Sequence, residues 1–240
     1  MSERIDKMMV DQKLVNTRSQ ARMLIKQGDV TCNGKLVTKP GQTVSDSDDI
    51  QIKQDMLYVS RGAFKLLKAI EEFELDFKGK IIADCGASTG GFTQVSLLNG
   101  ASKVYAIDVG HDQLSPLLLS SEKVKNIEGV NLKNEYTLPE LVDFCVTDIS
   151  FISITKVFPT IFSLLKPSGK AVILIKPQFE AGADRIARGG LVPEKYLNII
   201  LEEVTTWFSE HGFQIEKQCE SPITGKTGNV EYLALISKKL

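Results

Sequence analysis

The strongest constraint on this chain is a series of five short apolar runs, IIAD, VYAID, VKNIEGV, VDFCVTD and AVILIK, spread over residues 81–176 with helical or loop segments between them. Short β-branched runs alternating with helix-period segments predict an α/β fold built on a doubly wound parallel sheet. VKNIEGV is the weakest of the five. FQIEKQC and VEYLALIS, joined by SPITGKTGN, add two neighbouring antiparallel runs and bring the expected sheet to seven strands. A helix is expected from Ser60, because Phe64, Leu67, Ile70 and Phe73 form an apolar stripe with Arg61, Lys65 and Lys68 off it. A second is expected after Pro193, with Leu197, Ile200, Leu201, Val204 and Phe208 facing the core.

Ligands of open α/β sheets sit beyond the carboxyl ends of the strands, so DCGASTGGF, after the first run, is the place to look for one. It is not a P-loop, because Phe92 rather than Lys follows Gly91, and Gly86, Gly90 and Gly91 miss the dinucleotide spacing. A tight turn needs one or two glycines. A run of small residues from Gly86 to Gly91 is better explained by close approach of a ligand to the backbone. Asp108 ends the next run, 24 residues after Asp84, where an acid accepts hydrogen bonds from a ribose diol.

Composition excludes several classes. With 42% hydrophobic and 25% charged residues the chain is ordinary globular material, and its longest apolar run is far short of the ~20 residues of a membrane helix. The charged N-terminus does not read as a secretory signal, so a cytoplasmic protein is expected. Cys32, Cys85, Cys145 and Cys219 have neither disulfide-framework nor metal-site spacing and are expected to be buried thiols.

The net charge of −1 conceals a basic front. Residues 1–53 are expected to form a small α+β module: two short helices, with Thr17 or Ser19 as an N-cap and Gly28 as a stop, a hairpin at Asn33-Gly34, and a strand in DDIQIK. Residues 54–59 read as a linker and 60–240 as the larger domain. Arg4-Ile5-Asp6, Ser19-Gln20-Ala21-Arg22, Gly28, Asn33-Gly34 and Lys39-Pro40 make the module similar to the S4 RNA-binding domain. Arg18, Arg22 and Lys26 recur every four residues on one helix face, where they repel unless a polyanion compensates them. With Arg4 and Lys39 they are the candidate RNA contacts of the module; Arg61, Arg185 and Arg188 are the candidates outside it.

Asp84-Cys85-Gly86-Ala87-Ser88-Thr89-Gly90 resembles motif I of the Rossmann-like class I methyltransferases. No proline-rich amine-methylation motif follows the fourth run, and Cys145 lies inside it rather than after it, so neither base-amine nor cytosine-carbon methylation is encoded. SRGAFKL, DCGASTGGFT, AIDVGHDQL, TDISFIS, LIKPQFEAG and SPITGKTGNVEYL resemble the TlyA, or hemolysin A, family, whose catalytic domain is similar to FtsJ-type RNA ribose methyltransferases. That resemblance implies a Lys65, Asp148, Lys176 and Glu231 tetrad. It also implies S-adenosylmethionine held by Asp84, Gly86, Ala87, Ser88, Gly90, Gly91, Phe92, Asp108, Val109, Asn131 and Asp148. The implied substrate is ribosomal RNA within ribosomal subunits, with cytidine as the target, and no metal is needed because the donor is already activated. Lys176 is the expected base or orienting group, and Asp148 and Glu231 position it and Lys65. Two other readings are a pore-forming hemolysin, opposed by the missing span and signal, and a non-catalytic RNA-binding assembly factor, opposed by the complete tetrad.

Overall fold

A computed structural model describes residues 2–12, 14–15, 18–52, 58–225 and 227–239. The chain divides into two compact units, Met1–Tyr58 and Val59–Leu240. Residues 54–57 of the expected linker and Thr17, an expected helix cap, lie outside the described residues.

The smaller unit runs β1 (Ser2–Arg4), α1 (Ile5–Asp11), α2 (Arg18–Gln27), β2 (Val30–Cys32), β3 (Lys35–Leu36), β4 (Thr43–Ser45) and β5 (Ile50–Ile52). α2 begins at Arg18, so Ser19 lies inside the helix and is not its cap. β2 and β3 form the expected hairpin: Asn33 and Gly34 both have positive φ, 52° and 74°, as a type I′ turn requires. β5 pairs with β2, and β1 pairs antiparallel with β4, a ladder the sequence did not announce. Ile5, Met9, Leu24, Ile25, Val30 and Val37 supply a small core of their own.

Asp6 is fully buried at the edge of that core and organises three arginines. Its carboxylate accepts from Arg4 Nε at 3.0 Å, Arg22 Nε at 2.8 Å and Arg18 Nη2 at 3.2 Å. Arg4 above all, with Arg22 and Arg18, holds the Asp6 carboxyl well below the usual range against the opposing effect of burial. The mutual repulsion expected of the helix-face arginines is therefore relieved within the chain. A polyanion is not required to explain Arg18 and Arg22, although each guanidinium keeps about half its surface exposed.

The larger unit contains α3 (Ala63–Phe73), β6 (Ile81–Cys85), α4 (Gly91–Leu98), β7 (Lys103–Ile107), α5 (Pro116–Leu119), β8 (Val124–Ile127), β9 (Val142–Thr147), α6 (Phe158–Ser163), β10 (Leu165–Ile175), α7 (Pro177–Glu180), α8 (Glu194–Glu210), β11 (Phe213–Glu220) and β12 (Tyr232–Lys238). Among the described residues they form a seven-stranded sheet ordered β11-β12-β10-β9-β6-β7-β8. β6 to β10 run parallel, and β12 is antiparallel to both its neighbours, the Rossmann-like arrangement expected. α3 starts three residues later than the sequence predicted, and β10 starts at Leu165, its register shifting between Leu165 and Lys170. The core packs Ile173, Ile175, Cys145 and Ala234 from the sheet against Phe158, Val204 and Phe208 from the helices. Cys32, Cys85 and Cys145 are buried as expected, whereas Cys219, on edge strand β11, is only partly so. No helix among the described residues is long and apolar enough to cross a membrane.

Candidate active site

The parallel strands β6, β7, β9 and β10 end on the same edge of the sheet, which brings Asp108, Asp148 and Lys176, each the residue after its strand, to the rim of one cleft. The cleft encloses about 930 Å³, near the upper end of the ~300–1,000 Å³ of ligand pockets, and has two halves.

The first half surrounds the glycine loop. The Gly86 and Ala87 amides donate to the Ile107 carbonyl at 2.8 and 3.1 Å, folding the loop over the end of β7. Asp108 accepts from the Ser88 and Gly110 amides at 2.8 and 2.7 Å, and each of its oxygens retains a lone pair for a ligand. Ala87, Ser88, Phe92, Val109 and Asn131 line the same half.

The glycines themselves have a different explanation from the one the sequence suggested. Gly86 has φ +86°, and a Cβ there would sit 2.8 Å from Ile149 Cγ1. A Cβ on Gly90 would collide with Leu118 and Leu114, and one on Gly91 with Ser60 and Ala63. Gly90 does not line the cleft at all. The small residues clear space for the chain's own packing, and the ligand is offered the backbone that this packing fixes.

Asp84 lies behind the loop, 1% exposed, with its Oδ2 accepting from Thr93 Oγ1 at 2.7 Å. Burial pushes its carboxyl up to about 7, and the Thr93 hydroxyl and amide offset only part of that effect. A raised folded-state value means that the folded protein holds an extra proton between about pH 4 and 7. Asp84 therefore favours folding at low pH, and its contribution falls as pH rises across that window and levels off above 7. Asp84→Asn, which cannot ionise, is expected to unfold at a higher temperature than the parent at pH 8 and at nearly the same temperature at pH 4. Calorimetry at both pH values reads this directly, and an equal difference at the two would contradict it.

The second half assembles four ionised side chains from distant parts of the chain. Lys65 Nζ on α3 reaches Asp148 Oδ2 at 2.9 Å and Glu231 Oε2 at 2.8 Å. Lys176 Nζ, in the cap position of α7, reaches Asp148 Oδ1 at 2.5 Å and Ser150 Oγ at 2.8 Å. Lys65, Lys176 and Glu231 are each less than one-tenth exposed. Two positive and two negative groups satisfy one another, which is what burial of such charges demands. Burial pushes the Asp148 carboxyl up, but Lys176 and Lys65 outweigh it and hold the group below the ordinary carboxylate range.

Phe151 borders this half and is 91% exposed. Its backbone is left-handed, φ +66°, an unfavourable conformation for a bulky residue and one that recurs at functional sites. Its ring lies 5.3 Å from that of Phe179. Glu180 accepts from Ser153 Oγ at 2.6 Å and the Ile154 amide at 2.8 Å, tying the loop after β9 to α7 and fixing the two rings together. Sequence reasoning passed over Phe151, Phe179, Ser150 and Gln178, although all four stand within the TDISF and LIKPQF segments that it singled out.

Of the remaining candidates, Arg61 is exposed and lines the cleft, and Arg188, Lys26 and Lys39 are exposed. Arg185 Nη1 lies 2.8 and 2.7 Å from the two carboxylate oxygens of Glu203, in a partly exposed pair. His211 contacts the Trp207 carbonyl at the end of α8, as a helix-terminal partner should, and His111 faces Glu128.

Comparison with known proteins decides the family. Residues 58–238 match the FtsJ-like methyltransferase family, and residues 3–50 match the S4 domain. The chain belongs to the FtsJ-like methyltransferases. Within that family it is 41% identical to a protein named Hemolysin A from Brachyspira hyodysenteriae over 96% of this chain and 98% of that one. It is also 37% identical to a protein named 16S/23S rRNA (cytidine-2'-O)-methyltransferase TlyA from Mycobacterium tuberculosis, over 95% of this chain and 87% of that one. A solved structure from Streptococcus thermophilus whose description carries the word hemolysin superposes with a TM-score of 0.77 at 39% identity, covering 99% of this chain and 89% of that one. The chain is thus an FtsJ-like enzyme of the TlyA/hemolysin A group carrying an S4 domain.

Proposed function

We propose that this chain is an S-adenosylmethionine-dependent ribose 2′-O-methyltransferase acting on cytidine in ribosomal RNA. The observation that carries this reading is the continuous contact chain Glu231–Lys65–Asp148–Lys176, beside a loop and an acid suited to a nucleoside ligand. The names of relatives support the substrate: those from Mycobacterium tuberculosis and Campylobacter jejuni are named for cytidine-2′-O methylation of ribosomal RNA. The name hemolysin, shared by other relatives, has no counterpart in the site's chemistry.

The residues present fit the cofactor. Asp108 has lone pairs to spare for a ribose diol, and the glycine loop beside it presents Ala87, Ser88 and Phe92 to the same half of the cleft. When bound, S-adenosylmethionine supplies an electrophilic methyl group that needs no metal to activate it. The chain's own task is to prepare the acceptor. Lys176 donates to Ser150 Oγ and lies in ion-pair contact with Asp148 Oδ1, and a remaining N–H is available to the 2′-oxygen, aiming a lone pair of that oxygen in line. The hydroxyl proton given up on transfer would pass to the Asp148 carboxylate, because the Lys176 ammonium has no lone pair to receive it. Lys176 and Lys65 keep Asp148 ionised, and Glu231 holds Lys65 in place.

Phe151 and Phe179 offer a face on which the target base stacks once it has left its helix. The three arginines around Asp6, with Lys26 and Lys39, supply phosphate contacts for docking the RNA. Base–aromatic stacking contributes ~1–3 kcal/mol, so Phe151→Ala is expected to raise KM for the RNA by roughly five- to 150-fold and to leave cofactor affinity unchanged. Steady-state kinetics with ribosomal subunits checks this; an unchanged KM removes the stacking role. The reading as a whole is tested by transfer of labelled methyl from S-adenosylmethionine to purified ribosomal subunits.

A further inference from the structure

Glu231 sits 3% exposed just before β12 and has two carboxylate oxygens to satisfy. Oε2 takes Lys65 at 2.8 Å. Among the described residues the hydrogen-bond donor to Oε1 is the side-chain amide of Gln178, with Nε2 at 3.1 Å. Gln178 follows Lys176 by two residues in α7, so one short turn presents both Lys176 to Asp148 and Gln178 to Glu231. The far end of the four-residue chain is thereby joined back to the element that carries its other end.

Two further features set this amide apart from an ordinary surface glutamine. Its own carbonyl, Oε1, is buried without a hydrogen-bond partner among the described residues, a costly arrangement that native structures keep for a reason. The backbone also closes directly over the pair: a Cβ on Gly225 would lie 2.8 Å from Glu231 Oε1 and 3.3 Å from Gln178 Nε2. The position calls for a donor that adds no charge. Lys65 and Lys176 already balance Asp148 and Glu231, so a cation here would leave a buried excess, and an aliphatic side chain would leave a carboxylate oxygen without a donor.

We propose that Gln178 is a positioning residue of the acceptor site, whose amide holds Glu231 oriented toward Lys65 and so keeps Asp148 available to Lys176. The inference rests on the reading of these four groups as the methyl-transfer site. Charged groups facing Glu231 are Lys65 from α3, Asp148 after β9 and Lys176 after β10; Asp84, Arg61, Asp108 and Lys133 line the rest of the cleft. Without the amide, Glu231 Oε1 loses its donor, the carboxylate is free to turn away from Lys65, and Lys65 no longer holds Asp148 in register with Lys176.

The test compares the full-length protein with Gln178→Leu and the isosteric Gln178→Glu. Two quantities are read at one pH: the single-turnover methyl-transfer rate and the 13C-carboxylate resonance of Glu231. In Gln178→Leu the rate is expected to fall roughly ten-fold and the Glu231 resonance to move, with cofactor affinity unchanged. In Gln178→Glu the loss is larger, because two carboxylates in contact repel each other. A lower rate with an unmoved resonance in Gln178→Glu, which keeps the shape of the site even if Gln178→Leu fails to fold, would overturn the proposal. A moved resonance in a protein whose parent transfers no methyl group would instead sink the methyltransferase reading and leave the hold on Glu231 standing.

Discussion

Lys176→Ala is expected to lower the single-turnover rate of methyl transfer by ~10²–10⁴-fold while changing cofactor affinity less than about three-fold. The separation follows from where Lys176 stands. Its ammonium is spent on Asp148 at 2.5 Å and Ser150 at 2.8 Å in the acceptor half of the cleft, and the glycine loop and Asp108 form the other half. Alanine removes the group that aims the hydroxyl and leaves the cofactor's surroundings intact. Isothermal titration with the cofactor and quenched-flow methylation of ribosomal subunits measure the two effects separately. A variant that binds the cofactor normally and methylates at the parental rate would remove Lys176 from the chemistry.

The second large effect concerns stability. Lys65 is the shared partner of Asp148 and Glu231 and is less than one-tenth exposed. Lys65→Met keeps much of the side chain's shape but strips both carboxylates of a cation, and breaking a buried pair in this way costs ~3–5 kcal/mol. For a unit spanning Val59–Leu240 that corresponds to a fall in its Tm of roughly 10 °C. Lys65→Met combined with Glu231→Gln should recover part of the loss, because one of the two stranded charges is gone. A Tm within a degree of the parent in the single variant would mean that the two carboxylates do not depend on Lys65.

The sheet was legible because its strands are short, apolar and β-branched, and Ile82, Val104, Val146 and Val172 lie buried where alternating segments predict. β1 and β4 were not, since three-residue ladders leave no periodicity to read. The four charged residues of the acceptor site were found through family motifs rather than spacing: Lys65 and Glu231 are 166 positions apart and meet because α3 packs against β12, which Glu231 immediately precedes. Glycine was the least readable residue. Gly90 and Gly91 announce that a side chain is excluded but not by what, and among the protein's own groups a Cβ would meet Leu118, Leu114, Ser60 and Ala63. On the basic face, Asp6, 12 and 16 positions before Arg18 and Arg22, supplies part of the compensation within the chain, a buried partner that spacing alone does not announce. Gln178 carries no charge and no motif weight, so only its contact with Glu231 reveals it.

The central claim is that the contact chain from Glu231 to Lys176 serves transfer of a methyl group to a ribose oxygen. The most direct measurement is alkaline hydrolysis of ribosomal RNA labelled by the protein with methyl-labelled S-adenosylmethionine, since a 2′-O-methyl group blocks cleavage of the adjacent phosphodiester. The account predicts that the label appears in alkali-resistant dinucleotides beginning with cytidine and is lost with Lys176→Ala. Label recovered only in alkali-released mononucleotides, with the methyl group on a base, would contradict it.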